Sequence, residues 1–265
     1  MTYRDEARRH LARFEEESAS GDSGRLRYAA LELRLAMEAL TYDRALAYRD
    51  ELPPSEYETW QPAKLMAVLI DIDPTADQDS SLRIGREEEY GVVAPAMTLL
   101  GSERVLSMAT LKGHYHALGS YLHTQSLKQR RSGTPLDFYK MRSRCEKIAE
   151  AIRKVLSSSV LHITLGNFFT LPCMECEKPI RRRFPHGKSE VNADCRECDA
   201  SYTLVDKGNG QVKWNPRQQQ VECGRDGCGH EITLWVREIT VGRFWQCPKC
   251  DGRNTLGIGI VHEPA

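Results

Sequence analysis

The chain has 265 residues, with 37 Lys and Arg balanced by 37 Asp and Glu. A formal net charge of zero excludes a global field that would draw in nucleic acid, so any such contact has to come from local patches. No apolar run approaches the ~20 residues that cross a bilayer, and the N-terminal Met-Thr-Tyr-Arg-Asp-Glu lacks the apolar core of a secretory signal; a soluble, cytoplasmic protein with no membrane partner is expected.

Residues 2–18 read as a charged helix with a thin apolar edge at Leu11 and Phe14. Gly21-Asp-Ser-Gly24 breaks it, and Ser23 can cap the next helix. Residues 25–51 carry the strongest helical pattern: Leu26, Ala30, Leu33, Met37 and Leu40 recur at steps of three and four, as the core stripe of a central bundle helix does. Arg34 and Glu38 stand four apart on its remaining face. They form either an intrahelical ion pair of about 0.3 kcal/mol or a polar pair aimed at a site.

Pro53-Pro54 ends that helix, and Pro62 opens a shorter one running through Leu65, Val68 and Leu69 to Asp73-Pro74. Residues 74–91 read as a polar loop with room for a short strand at Ser81–Gly85, and Val92–Leu100 leads into the next helix. In that helix, residues 103–123, Leu111, Tyr115, Leu118 and Leu122 form a core stripe. Lys112, His116, Ser120 and His123 repeat the spacing one position later. Two imidazoles and an ammonium on one stripe can bind a phosphate and move protons near neutral pH; a solvated face is the alternative. A basic connection comes next, and Pro135 starts a long helix to about Ser159, buried along Ile148, Ala151, Ile152 and Val155 and basic outside. Cys145 on it is isolated, and reads as a small core residue. A domain boundary falls near residue 165.

Eight of the nine cysteines lie beyond that boundary in four close pairs: Cys173/Cys176, Cys195/Cys198, Cys223/Cys228 and Cys247/Cys250. Eighteen residues separate the second pair from the first, and eighteen separate the fourth from the third. A tight cysteine turn offers two thiolates to one tetrahedral ion, two turns close the shell, and Zn²⁺ suits an S₄ set. The repeat therefore predicts two structural Zn²⁺ ions in two zinc ribbons, with the pairs taken sequentially; interleaved pairing, first with third and second with fourth, is the alternative. A disulfide framework fits less well, because four tight pairs, an odd cysteine and no signal point to a reducing compartment. A catalytic zinc would need an open coordination position. His186 and His230 lie inside the ribbons and offer substitute ligands. In Cys247-Pro-Lys-Cys-Asp-Gly252 the glycine is read as the residue that takes positive φ.

The expected architecture is α+β: an all-α bundle over 1–165, then small antiparallel ribbons over 166–210 and 211–265. Arg181-Arg182-Arg183 falls on a probable strand of the first ribbon, so Arg181 and Arg183 would share one charged face. With Lys213, Arg217 and Arg243 these arginines are the candidate nucleic-acid contacts, for RNA or DNA, and the interleaved aromatics either stack bases or fill the ribbons' small cores.

Arg27-Tyr-Ala-Ala-Leu-Glu-Leu-Arg-Leu-Ala-Met-Glu38 and His114-Tyr-His-Ala-Leu-Gly-Ser-Tyr-Leu-His123 resemble the HEPN superfamily of helical domains over roughly residues 25–160. The resemblance implies homodimerisation and, in active members, metal-independent RNA cleavage through an Arg with a His a few residues after it. His123 would be that His; no Arg occurs between Arg104 and His123, which leaves Lys112 and His116 as the nearby cations. Three functions are expected from these features. The first is nucleic-acid binding with the bundle as dimeriser. The second is an endoribonuclease with His116 and His123 as acid and base, Lys112 on the phosphate, and Arg34 and Glu38 orienting them. The third is a protein–protein adaptor in a larger, antiviral complex.

Overall fold

The computed structural model describes residues 2–52, 61–89, 92–124, 127–132, 137–164, 166–185 and 187–258. Two compact units make up the chain, Met1–Leu165 and Gly166–Ala265.

The first unit is helical. Its described helices are α1 (Tyr3–Ala19), α2 (Leu26–Leu46), α3 (Pro62–Ile72), α4 (Met108–Leu122), α5 (Leu127–Ser132) and α6 (Phe138–Leu156), and strands β1 (Ser80–Ile84) and β2 (Thr98–Glu103) form one antiparallel hairpin. A capping box starts α1: the Asp5 N–H donates to Thr2 Oγ1 at 3.1 Å, and Asp5 Oδ2 accepts from the Thr2 N–H at 3.2 Å. The expected cap at Ser23 is taken instead by Asp22, whose Oδ1 accepts from the Gly24 N–H at 2.7 Å ahead of a single 3₁₀ turn. Helix α2 is the hub. Its buried positions are largely Ala29, Ala30, Ala36 and Ala39 around Leu33, Met37 and Leu40, and small side chains allow close packing by α1.

Two expected boundaries shift. The α2 helix stops at Leu46 rather than continuing to residue 51, and the chain turns so that Tyr48 is buried with its hydroxyl between Arg44 and Asp73. The helix expected over 103–123 starts later: Thr98–Glu103 forms strand β2, and α4 begins only after Ser107, whose Oγ accepts from the Thr110 N–H at 3.2 Å. Cys145 on α6 is fully buried, and burial pushes its thiol up to about 11. Among the described residues no helix is long and apolar enough to cross a membrane.

The second unit is built from antiparallel hairpins. These are β3 (Phe168–Pro172) with β4 (Pro179–Arg183), β5 (Glu190–Asp194) with β6 (Ser201–Gly208) and β7 (Gln211–Pro216), β8 (Gln218–Glu222) with β9 (Glu231–Trp235), and β10 (Phe244–Gln246) with β11 (Arg253–Thr255). Each ribbon is two hairpins whose turns carry cysteines. The first has an extra strand: β7 pairs along β6 from Gly208↔Gln211 to Tyr202↔Pro216, so its sheet runs past residue 210 to Pro216. Gly208-Asn209-Gly210 makes the tight turn between them, with φ of 77°, 52° and 73°. Its core gathers Ile180, Phe184, Ala200, Tyr202 and Leu204 around the thiols, and Trp235 from the end of β9 joins the same core.

Candidate metal centres

Three of the four cysteine turns have one geometry. The N–H of the first cysteine donates to the carbonyl five residues on: Cys173 to Lys178 at 2.9 Å, Cys195 to Ala200 at 2.8 Å, and Cys247 to Gly252 at 2.8 Å. The carbonyl of that cysteine accepts from the N–H four on: from Glu177 at 2.9 Å, Asp199 at 2.8 Å and Asp251 at 2.9 Å. Those residues take the left-handed conformation, with φ of 62°, 56° and 55°. The strained residue in the last turn is therefore Asp251 and not Gly252. Glycine at 252 answers a different need, since a Cβ there would lie 3.3 Å from Cys250 Sγ. The wider third turn closes the same way with two residues inserted: Cys223 N–H donates to His230 O at 2.8 Å, and Gly229 takes φ 56°.

These turns bring the thiols together as Cys173, Cys176, Cys195 and Cys198 in one group and Cys223, Cys228, Cys247 and Cys250 in the other, all ligand atoms of a group within 4.8 Å of one another. The pairing is sequential, and the interleaved alternative is overturned. The Sγ···Sγ distances across the turns are 3.6 Å for Cys173–Cys198, 3.5 Å for Cys176–Cys195, 3.7 Å for Cys223–Cys250 and 3.8 Å for Cys228–Cys247. A tetrahedral shell with ~2.3 Å Zn–S bonds requires edges of ~3.8 Å. The donor set and spacing thus fit two structural Zn²⁺ ions, and disulfides of ~2.05 Å are excluded for these cysteines, all of which are free thiols. Four sulfurs complete each shell, so His230 has no coordination role in the second group; His186 lies outside the described residues.

The surroundings favour thiolate at Cys173 and Cys223, while burial pushes the thiols of Cys195, Cys198 and Cys228 up. Burial works against the Cys173 thiolate, but the Tyr202 hydroxyl at 3.2 Å and the N–H groups of Cys176 and Glu175 outweigh it and bring its pKa down to about 6. The Arg225 N–H above all brings Cys223 to about 7.

Tyr202 has a second task. Its hydroxyl oxygen also accepts from the Met174 N–H at 2.9 Å, and so closes the first turn. Asn254 does the same in the second ribbon, where its Oδ1 accepts from the Gly224 N–H at 2.8 Å. Tyr202 stands seven residues after Cys195, and Asn254 seven after Cys247. The two are equivalent positions of the repeat filled by side chains of very different size.

The candidate nucleic-acid residues are scattered. Arg183 is buried, donates through Nη1 to Gly166 O at 2.9 Å and lies with Cζ 5.8 Å from the Phe168 ring centre. Arg181 and Arg182 are half-buried. The run therefore presents no face with two exposed charges, because the strand spends Arg183 on its own hairpin. Lys213 and Arg217 are exposed; Arg243 is exposed but bonded to Glu238 at 3.1 Å.

In the helical unit, Lys112 and His116 are exposed on α4, and His123, expected on the same helical stripe, is exposed just past its end with extended backbone. Arg34 and Glu38 do not orient them. Arg34 Nη2 donates to Tyr115 Oη at 2.7 Å, the Tyr115 hydroxyl donates to Glu38 Oε1 at 2.6 Å, and the guanidinium lies 4.0 Å from the Tyr115 ring centre. Tyr115, placed by spacing on the apolar stripe, is thus the polar partner that α4 offers α2. Burial first, then the Glu38 hydrogen bond, push its phenol up to about 12.

Comparison with protein-family models, with curated proteins and with solved structures returns no match. The chain is defined by its own geometry: a helical unit, then two four-cysteine centres, each consistent with a structural zinc ribbon.

Proposed function

We propose that this is a zinc-stabilised nucleic-acid-binding protein in which the second ribbon contacts a single strand and the helical unit, read as HEPN-like, dimerises and adds RNA contacts. One observation carries the reading. On the β10–β11 hairpin, Phe244 pairs across from Thr255 and Gln246 from Arg253, so the four side chains share one face, and all four are exposed. Phe244 is 56% exposed, far more than a ribbon needs of a core residue, and Arg253 Cζ lies 3.8 Å from its ring centre. An exposed ring with a guanidinium laid on it and amide and hydroxyl groups beside it offers stacking, phosphate attraction and base-edge hydrogen bonds together. Lys213 and Arg217 supply further exposed charge within the same unit.

The test is binding of a labelled oligouridylate to the zinc-loaded chain at several salt concentrations. Affinity that falls steeply with salt, and falls again in Phe244→Ala, supports the reading; affinity indifferent to both removes it. The enzymatic reading draws on the exposed Lys112 and His116 of α4 and the exposed His123 just after it. It requires the bundle to cleave RNA in the presence of chelator and His123→Ala to abolish that cleavage.

A further inference from the structure

The internal repeat allows one ribbon to be read against the other. In the first, the space between the two cysteine turns is filled by a segment that leaves the end of β9. Trp235 packs edge-on against Tyr202 with ring centres 5.4 Å apart, and Arg237, two residues on, donates to Glu175 at 2.6 Å. Glu175 stands two residues after Cys173. The first ribbon thus receives an aromatic-x-cation segment: the ring goes on Tyr202 and the charge on a carboxylate in the turn.

The corresponding space in the second ribbon is an open groove of about 450 Å³, lined among others by Gly224, Arg225, Trp245, Asn254 and Thr255. Three differences separate it from its counterpart. Asn254 replaces the bulk of Tyr202 while keeping the same backbone hydrogen bond. Arg225, two residues after Cys223, stands where Glu175 stands, so the sign of the charge is reversed. No third strand covers β11 among the described residues, whereas β7 covers β6. In the groove wall the half-buried Trp245 keeps an indole N–H with no partner. Arg225 is exposed and makes no ion pair among the described residues.

We infer that this groove is a docking site for an extended segment of a partner protein carrying an aromatic residue and, two positions later, Asp or Glu. The aromatic ring takes the volume that Asn254 leaves open beside Trp245. The carboxylate pairs with Arg225, as Glu175 pairs with Arg237 in reverse. The segment's backbone lies near the free edge of β11, whose outward N–H and C=O groups at Arg253 and Thr255 are open to strand addition. This site faces the space between the hairpins; its lining includes Arg253 and Thr255 of the face assigned above to nucleic acid, while its charge and aromatic contacts are at Arg225 and Trp245, which are not among the four residues of that face.

The test uses the full-length, zinc-loaded chain and two fluorescein-labelled synthetic peptides, Gly-Ser-Leu-Trp-Val-Glu-Ser-Gly and the same sequence with Arg in place of Glu. Binding is monitored by anisotropy, and the site is read from the Trp245 indole N–H resonance. The Glu peptide is expected to bind roughly tenfold more tightly than the Arg peptide, from one gained ion pair and one avoided like-charge contact. Arg225→Glu is expected to invert that order, with an unchanged zinc content showing that the ribbon is intact. Absence of binding by either peptide at millimolar concentration overturns the inference. So does a preference that survives Arg225→Glu, or an oligouridylate rather than the peptide shifting the Trp245 resonance. Oligouridylate binding that is lost in Phe244→Ala while peptide binding persists leaves both assignments standing.

Discussion

Glu103 reaches Arg44 at 3.1 Å in the interior of the helical unit, with both side chains buried. The carboxylate also accepts the N–H groups of His162 and Ile163 at 2.8 and 2.9 Å. Arg44 in turn donates to Ala76 O and to the Tyr48 hydroxyl, which donates to Asp73. One charge pair thereby fastens α2, the turn after α3, strand β2 and the segment after α6. A buried pair contributes little net stability, because desolvation offsets attraction, but breaking it strands a charge. Glu103→Ala is therefore expected to cost about 3–5 kcal/mol, and Glu103→Gln less. Denaturant unfolding monitored by helical circular dichroism measures it; a loss below about 1 kcal/mol in the alanine variant would show that Arg44 finds water instead.

Metal removal should divide the chain. The second unit's cores are small and centre on the cysteines, so its folding free energy is largely zinc-binding free energy. The first unit has an apolar core of its own, from Leu33 and Met37 to Ile148 and Ile152. Chelation is expected to abolish the near-ultraviolet signals of Trp214, Trp235 and Trp245 while the helical signal survives. Cobalt substitution should give two equivalents of tetrahedral tetrathiolate absorption. Acid should act in the same direction as chelator. A thiol whose folded pKa is depressed contributes stability above its ordinary value of 9.0 and loses it as pH falls through the folded value, about 6 for Cys173. Protons compete with metal for the thiolates, so zinc release is expected as pH falls and not on raising it.

Trp235 belongs by sequence to the second ribbon and by packing to the core of the first. Trp235→Ala should cost about 3–5 kcal/mol, the loss typical of a buried indole, and should lower the unfolding midpoint of the whole second unit. Arg237→Ala removes a partly exposed ion pair with Glu175 and should cost no more than about 1 kcal/mol. Two separate unfolding transitions for the ribbons in the unmodified protein would contradict this coupling.

The cysteine spacing alone exposed the metal centres, because a ligand set is a local signal that one chain position after another spells out. The bundle was legible for the same reason: the Leu26–Leu40 stripe repeats at helical period. Contacts between distant residues were hidden from the sequence. Tyr115 sits on an apolar stripe by spacing, and only the approach of α2 gives it Arg34 and Glu38. Arg183 reads as surface charge until its strand is paired and Gly166 O receives it. The Tyr202–Asn254 equivalence was within reach, since both stand seven residues past the cysteine that opens a turn. Aligning the two repeats residue by residue, and not only their cysteines, would have brought it out.

Charge substitutions in the second unit should separate structural arginines from phosphate-binding ones. Lys213 and Arg217 are exposed, so Lys213→Ala is expected to weaken oligouridylate binding and to reduce the dependence of log K on log salt by about one. Phe244→Ala should cost about 1–3 kcal/mol of binding, the value of one stacked base, with the salt slope unchanged. Arg253→Ala removes the cation laid on that ring and, under the proposed function, a phosphate contact, so it should move affinity and slope together. Arg183→Ala should do the opposite of all three. Its guanidinium is buried against Phe168 and Gly166 O, so the variant should unfold at lower denaturant while the salt slope of the folded protein stays where it was. If Arg183→Ala flattened the slope and left stability intact, its side chain would have to leave the hairpin to reach a phosphate.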